Sequence, residues 1–557
     1  MQNSFVELKG RERAMALLDH GTYRELLGPL DGIQSPHLEP QGIVPQSDDG
    51  IVLALGEIRG RKVLVISMEG AFQGGGIGEV SGAKIAGALE LALEENHKGN
   101  TVYPVMIFDT GGVRLQEANY GLLSISEICS QIVALRKIVP VVGLIPGRVG
   151  AFGGMSITAE LFTTIIATKK ARLGLNGPEV IEQEAGVMEF DASDKALIWN
   201  TIGANQRLAT GLVDKVVEDS TDAIIEAVFA AFEAPAKPSR TEQVDFNLNL
   251  LKQLDTDTEW TPERYRDFYQ QVAAAPQSVP ITQPGPADAA DSRGYRWFSK
   301  LTGIAHPVSE VPSVLAADVE KNGHLSRVIA VVPDSGSRFK RARKGEVGLL
   351  EGWTLAQIVR DVIKQDEDKE IKRPIIAVID VPSQAYGYKE EMVGISMALA
   401  ASTDAYATAR QQGHPVIGVI VGNAISGAFL SHGLQSNRLI ALNDQEINIQ
   451  AMSKASAARI TKRTIEELEE ASKKVPAMAY DVNSYSTLGP LYKLLSGIEA
   501  DEPQAADIAK VEQTILEAIE STIDAPRDLS FRYQTEEALS GGRAATLKVR
   551  QVLRDQW

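Results

Sequence analysis

Hydrophobic and polar positions fall into blocks that occur twice along this chain. Residues 51–55 and 62–66 are apolar runs on either side of Arg59-Gly60, and residues 314–317 and 327–332 stand on either side of Asn322-Gly323. Two apolar runs around a tight-turn pair predict a hairpin, and Asn-Gly is a strong turn signal. A Gly-rich stretch containing Gly-Glu-Val follows each, at 74–82 and 345–352. Helical spacing then sets in. Ile85, Leu89 and Leu93 recur at i, i+4, i+8, and Leu355, Ile358, Val359, Val362 and Ile363 at i, i+3, i+4, i+7, i+8.

Next comes a short apolar run ending on aspartate, 105–109 and 375–380, with a turn after it: Thr110-Gly-Gly112 and Val381-Pro-Ser383. Another helix leads to a second buried-type strand, 140–145 and 415–420. Each of these runs into a small-residue turn that opens a helix, 147–155 and 422–429. The copies match in order at offsets of about 271 to 275 residues. A tandem duplication of a β-β-α-β-α-β-turn-α unit follows, in an α/β fold with largely parallel strands. Between the copies, residues 273–292 hold Pro276, Pro280, Pro284 and Pro286. That composition supports neither a helix nor a central strand. Domains over 1–272 and 293–557, joined by a linker over 273–292, are therefore expected, with one or two peripheral helices in 233–270.

Composition narrows the function. The 557 residues include 56 Lys and Arg against 73 Asp and Glu, a net charge of −17. A phosphate-backbone binder needs a cationic face, so no nucleic-acid partner is expected. The single cysteine, Cys129, shares an apolar helical stripe with Ile125, Ile128, Ile132 and Leu135 and reads as core. One cysteine excludes an internal disulfide and a cysteine zinc ribbon. The seven histidines show no metal-ligand spacing, so no metal site is expected. The longest apolar run, 415–430, is too short for a bilayer and contains Gly418, Gly422 and Asn423. The first thirteen residues are polar and mixed, unlike a secretory signal. A cytoplasmic location without a membrane partner is the resulting expectation.

Ligands of parallel sheets bind beyond the carboxyl ends of the strands, where the Gly-rich turns sit. A backbone N–H opening a helix has no partner within it, and glycine lets a ligand approach the backbone closely. Two such N–H groups from different strand ends can converge on one oxygen as an oxyanion hole. The turns of the first copy place them at Gly112 and Gly154, and those of the second at Ser383 and Gly427-Ala428. Tight turns and close packing alone also call for glycine, but four turns in duplicated register favour the functional reading. Other motifs fail. Gly76-Ile-Gly78 lacks the third glycine of a dinucleotide fingerprint, and no phosphate loop or Gly-x-Ser-x-Gly elbow is present.

Gly111-Gly-Val-Arg-Leu-Gln-Glu117, Phe152-Gly-Gly-Met-Ser156 and the stretch from Gly174 to Gln183 resemble the β half of acyl-CoA carboxylase carboxyltransferases. The stretch from Asp380 to Tyr386, with Ser426-Gly-Ala428, resembles the α half. More closely, nearly the whole chain resembles the β and γ subunits of biotin-independent malonate decarboxylase, joined through the Pro-rich segment. The most specific stretches are 41–46, 71–80 and 475–480. The resemblance implies two crotonase-like carboxyltransferase-type domains and decarboxylation of a malonyl thioester to the acetyl thioester. It implies an acyl carrier subunit that brings the CoA-derived arm, and a separate acetyl/malonyl transferase subunit. It also implies pairing of copies as a homo-oligomer, a dimer. The chain departs from bacterial carboxyltransferase β chains in lacking their zinc ribbon. Ala451-Met-Ser-Lys454 misses the biotin-attachment motif by one serine, so no covalent cofactor is expected.

Loss of CO₂ leaves a carbanion whose charge spreads onto the thioester oxygen. The resemblance places the hole for that oxygen at Gly111, Gly112, Val113, Gly153 and Gly154. The second half, with Gly427 and Ala428 as donors, faces the departing carboxylate. Tyr386 and His432 are the candidate proton donors, an interface aromatic and a satisfied helix histidine being their other readings. Ser383, Gln384, Ser426 and Arg114 are assigned to substrate binding, although Arg114 and Glu117 also suit an internal ion pair at i, i+3. Two alternatives remain open: transfer of the carboxyl group to biotin on a partner protein, and a non-enzymatic scaffold.

Overall fold

The computed structural model describes residues 4–275, 285–287, 289–321 and 323–557. Pro276, Pro280 and Pro284 of the expected linker, and Asn322, lie outside them. Pro286 pairs only at an edge, in a two-stranded ribbon of Gly285–Pro286 with Val308–Ser309.

Each sequence copy builds its own sheet in the same way. In the first, Ile51–Ile58 and Arg61–Met68 pair antiparallel around Arg59 and Gly60, both at positive φ (49° and 75°). That is the primed turn whose twist matches two-residue hairpins. Tyr103–Ile107, Val142–Ile145, Thr164–Thr168 and Lys215–Val217 then add in parallel, each beside the strand before it. In the second, Val314–Lys321 and His324–Val331 form the hairpin. Ile375–Val381, Val416–Ile425, Arg438–Leu442 and Lys493–Leu495 follow in parallel. The fold is α/β, a tandem pair of crotonase-like lobes. One boundary differs from expectation. Residues 422–425 continue the strand, because Ala424 and Ile425 pair with Ile449 and Gln450, and the helix opens only at Ser426.

Helices cover both faces of each sheet. On the inner face of the first lie Glu79–His97 and Ala118–Leu135, and of the second Leu349–Gln365 and Ile395–Gln411. These inner layers meet, Ala118–Leu135 and Gly154–Glu160 packing on Ile395–Gln411. The buried apolar residues of both lobes form one continuous core, with a separate cluster on the outer face of the first sheet. The division near residue 272 is crossed both ways. Val244–Gln253 packs on Leu349–Gln365, and the final helix, Ala544–Gln556, lies on Glu79–His97. Arg543 binds Glu127 at 2.9 Å, and the Thr546 N–H donates to Glu79 at 3.0 Å. Among the described residues no helix is long and apolar enough to cross a membrane, and no group of three or more His, Cys, Asp or Glu is placed to hold a metal.

Candidate active site

The apolar strands of both lobes end on aspartate for the same reason. Asp109 Oδ1 accepts the Val149 N–H at 2.6 Å, and Asp380 Oδ1 accepts the Asn423 N–H at 3.0 Å. Asp109 ties its strand end to the loop after the next strand, Asp380 ties its own to the far end of the next strand itself, and Arg13 pairs with Asp109 at 2.8 Å. The two turns of each lobe are thereby held side by side. A β-carbon added to Gly112 would lie 3.0 Å from the Gly153 Cα and 3.4 Å from the Gly154 nitrogen, which requires glycine there.

A cleft of about 320 Å³ opens where these turns meet the second lobe. Gly111, Val113, Gly153 and Gly154 line one wall, and Gln384, Tyr386, Ser426 and Gly427 the other. Leu122, Leu430 and Met452 add apolar surface.

Most of the expected donors are already engaged. Gly111 N–H donates to Gly74 O (2.8 Å), Gly112 N–H to Thr110 Oγ1 (3.0 Å) and Gly153 N–H to Leu175 O (2.9 Å). Val113 and Gly154 differ. Both line the cleft, and among the described residues neither N–H has an acceptor. Pairing around Val113 explains its freedom, since Ile77 donates to Gly112 O and accepts from Arg114 N–H, skipping the residue between. Two unpartnered N–H groups on one cleft can serve a developing oxyanion.

In the second lobe the Gly427 N–H donates to Gln384 Oε1 at 3.0 Å. Ala428 is fully buried and does not line the cleft, so it is not a donor there. Ser383 also stands off the cleft and gives its hydroxyl to Gln384 O at 2.9 Å. Ser426 takes φ of 62°, matching 57° at Gly153 in the first lobe.

Tyr386 lines the cleft beside Ser426. Burial, with some help from Glu184, pushes its pKa up, the Ser426 contact opposing, so the phenol keeps its proton at neutral pH. His432 does not reach the cleft, a correction to its candidacy. It is fully buried, Nε2 lying 2.9 Å from Val378 O and Nδ1 3.0 Å from the Tyr406 hydroxyl. Burial lowers its pKa to about 4, so the ring is neutral and spoken for. Arg114 is corrected as well. It borders the cleft, but its guanidinium is buried against Asp49 and Glu117, each at 2.7 Å. The internal ion pair is the form it takes. Cys129 is buried and core.

Sequence reasoning missed Asn176. It lines the cleft from the first lobe, with its side chain between Gln384 and Glu391. Its stretch, Gly174 to Gln183, carried family likeness, but nothing local marks Asn176 as reaching the other lobe.

Residues 7–264 match the family described as Carboxyl transferase domain, and residues 342–557 that described as Malonate decarboxylase gamma subunit. Among curated relatives, Malonyl-S-ACP:biotin-protein carboxyltransferase MADC of Malonomonas rubra is 43% identical over 266 residues, covering 45% of this chain and 84% of that protein. MADD of the same organism, with the same activity in its name, is 38% identical over 29% of this chain and 56% of its own length. A crystal structure of a Pseudomonas malonate decarboxylase hetero-tetramer in complex with malonate is 51% identical over 48% of this chain and 98% of its own, with a TM-score of 0.47. The chain belongs to the carboxyltransferase family, as one polypeptide that joins a carboxyl transferase domain to a region of the malonate decarboxylase gamma subunit type.

Proposed function

We propose that this chain is the decarboxylating component of a malonate decarboxylase, converting a malonyl thioester to the acetyl thioester. The carrying observation is the unpartnered amide pair, Val113 and Gly154, in the cleft between the lobes. The thioester oxygen sits between these N–H groups. The bond from C2 to the carboxylate breaks, its electron pair moves through C2 onto that oxygen, and CO₂ leaves. The enolate is stabilised where its charge forms, each donor contributing about 3–4 kcal/mol. The Tyr386 phenol then supplies the proton to C2, and water restores it. The apolar walls around Leu122, Leu430 and Met452 keep competing water away.

The arm bearing the thioester comes from a carrier protein, because the named activity of both Malonomonas relatives is on malonyl-S-ACP. Loading of that carrier falls to a separate transferase subunit, and Pseudomonas relatives are solved as hetero-complexes. Two copies of the fused chain pair as a dimer. The domains divide at the Pro-rich stretch.

Gly154→Pro tests the site. Residue 154 is the first of its helix, where proline is well tolerated, and the crowding atoms are the ends of Leu430 and Ile125. The variant folds by circular dichroism and releases CO₂ from malonyl-CoA or malonyl-carrier about 10²–10³-fold more slowly, the loss seen when one such donor is removed. Undiminished turnover in the folded variant rejects the assignment. The names of MADC and MADD favour a second reading, carboxyl transfer to a biotin-protein. Inhibition of turnover by avidin in the reconstituted system would establish it.

A further inference from the structure

Duplication gives each lobe the same amide pair, yet the two pairs are in different states. Ile77 bridges Val113, and Val347 bridges Gln384 with the same bonding: Val347 N–H to Ser383 O and Ala385 N–H to Val347 O, both 3.0 Å. Gln384 is thus the counterpart of Val113, and Gly427 that of Gly154. Where the first lobe has valine, the second has a side chain that folds back over its own pair. The Gln384 Oε1 accepts the Gly427 N–H at 3.0 Å.

That carboxamide is locked. Its Nε2 donates to Asn176 Oδ1 at 2.9 Å, and Asn176 Nδ2 donates to Ala385 O (3.1 Å) and Glu391 (3.0 Å). The Glu391 carboxylate also takes the Asn176 and Leu175 N–H groups at 2.6 and 3.1 Å, with Arg207 at 3.7 Å. Gly427 N–H can only donate and the Ala385 carbonyl can only accept. The ends of the chain therefore fix which way both carboxamides point. Gln384, Asn176 and Glu391 are 5%, 2% and 0% exposed. Asn176 comes from one lobe and the other two from its partner lobe.

Handing the carboxyl group on, instead of releasing it, needs an acceptor such as the ureido ring of biotin. There the ring nitrogen forms a bond to the CO₂ carbon and gives up its proton, which ends on C2 of the enolate. Malonyl thioester and biotin become acetyl thioester and carboxybiotin. As the nitrogen loses its proton, charge grows on the ureido oxygen, and that oxygen needs an amide pair of its own. The duplicated fold has one to spare, and Gln384 Oε1 takes its Gly427 donor.

We propose that Gln384 is a specificity-determining residue: its carboxamide, held by Asn176 and Glu391, takes the Gly427 donor of the second amide pair, bars a ureido acceptor, and commits the carboxyl group to leave as CO₂. This rests on the decarboxylase reading and adds what makes the site release its product. The test uses the full chain, wild type and Gln384→Ala. Free biotin is titrated calorimetrically, and carboxyl-labelled malonyl-CoA is followed into CO₂ and carboxybiotin with free biotin present. Wild type shows no biotin binding and no carboxybiotin. Gln384→Ala gains biotin affinity by about tenfold or more and diverts label into carboxybiotin. Asn176→Ala, which frees the carboxamide without removing it, moves the same way by less, and it carries the titration if Gln384→Ala does not fold. Equal biotin affinity in wild type and variants overturns the proposal. So does loss of CO₂ release in Gln384→Ala with biotin affinity unchanged, which makes Gln384 a substrate-binding group. Failure of the decarboxylase reading appears separately, as absence of CO₂ release from wild type, while the titration still reports on the plug.

Discussion

At the scale of single residues, neighbourhood decides chemistry more than residue type does. Tyr386 and His432 are both titratable and close in sequence to the second turn, yet only Tyr386 borders the cleft. Tyr386→Phe deletes the phenolic proton and little else. It is expected to slow CO₂ release about 10²-fold, the lower end for a positioned acid, with KM nearly unchanged. A matching fall in binding and no fall in kcat would argue for a packing role. His432→Ala instead strips partners from Val378 O and Tyr406, and leaves a cavity. A loss of about 2–4 kcal/mol in unfolding free energy is expected, read by denaturant titration. The sequence makes the strand-end turns legible but not their free amides. Gly111 and Gly153 are spent on Gly74 and Leu175, partners far along the chain or across a loop, and no local pattern records those bonds. Asn176 was hidden likewise, because its role depends on Gln384 and Glu391, more than two hundred residues away.

At the scale of elements, duplication was readable because each local rule is obeyed twice. Hairpin, Gly-rich turn, amphipathic helix and Asp-terminated strand recur in order, and the paired sheets share one order over six strands, the first adding Arg24–Leu26 at its edge and the second Ile449–Gln450. The repeat extends to a close approach of helices. A β-carbon on Gly82 would lie 2.1 Å from the Ser124 Cβ, and one on Gly352 would lie 2.7 Å from the Ala398 backbone carbonyl. Glu79–His97 thus touches Ala118–Leu135, and Leu349–Gln365 touches Ile395–Gln411, at equivalent glycines. Gly352→Ala must push two backbones apart and is expected to destabilise by about 1–3 kcal/mol, more than an exposed change would. A melting temperature equal to wild type would show that the helices have slack. What escaped the sequence is where elements go when they leave their own copy. Ala544–Gln556 has ordinary amphipathic spacing, and nothing in it announces that its partner is the first lobe's helix Glu79–His97.

At the scale of the whole molecule, the cleft exists only while the lobes stay together, and buried charge helps to hold them. Asp404 of the second lobe is fully buried and takes Arg136 and Thr241 of the first at 2.6 Å each, with Arg360 of its own lobe also at 2.6 Å. Burial alone would raise its pKa, but the two guanidinium groups and their hydrogen bonds hold it well below the ordinary carboxylate range. A carboxylate depressed on folding stabilises fully above its unfolded pKa, and that stabilisation fades as pH falls through about 4 and below. Glu351 and Glu390 act in the opposite sense. Burial lifts each to about 7, against 4.5 unperturbed, so between those values the folded chain holds protons that the unfolded chain has lost. Stability from these two therefore drops as pH rises from about 4.5 to 7. The melting temperature is expected to peak near pH 4.5, to sag by a few degrees toward pH 7, and to collapse below pH 4. Asp404→Asn leaves Arg136 and Arg360, both partly exposed, short of a countercharge and is expected to cost about 1.5–3 kcal/mol at pH 6. It should also flatten the acid limb, since the group whose protonation drives that limb is gone. Calorimetric melts of both proteins from pH 3.5 to 8 check this. A variant with wild-type stability and an unchanged acid limb would place the electrostatic hold between the lobes elsewhere.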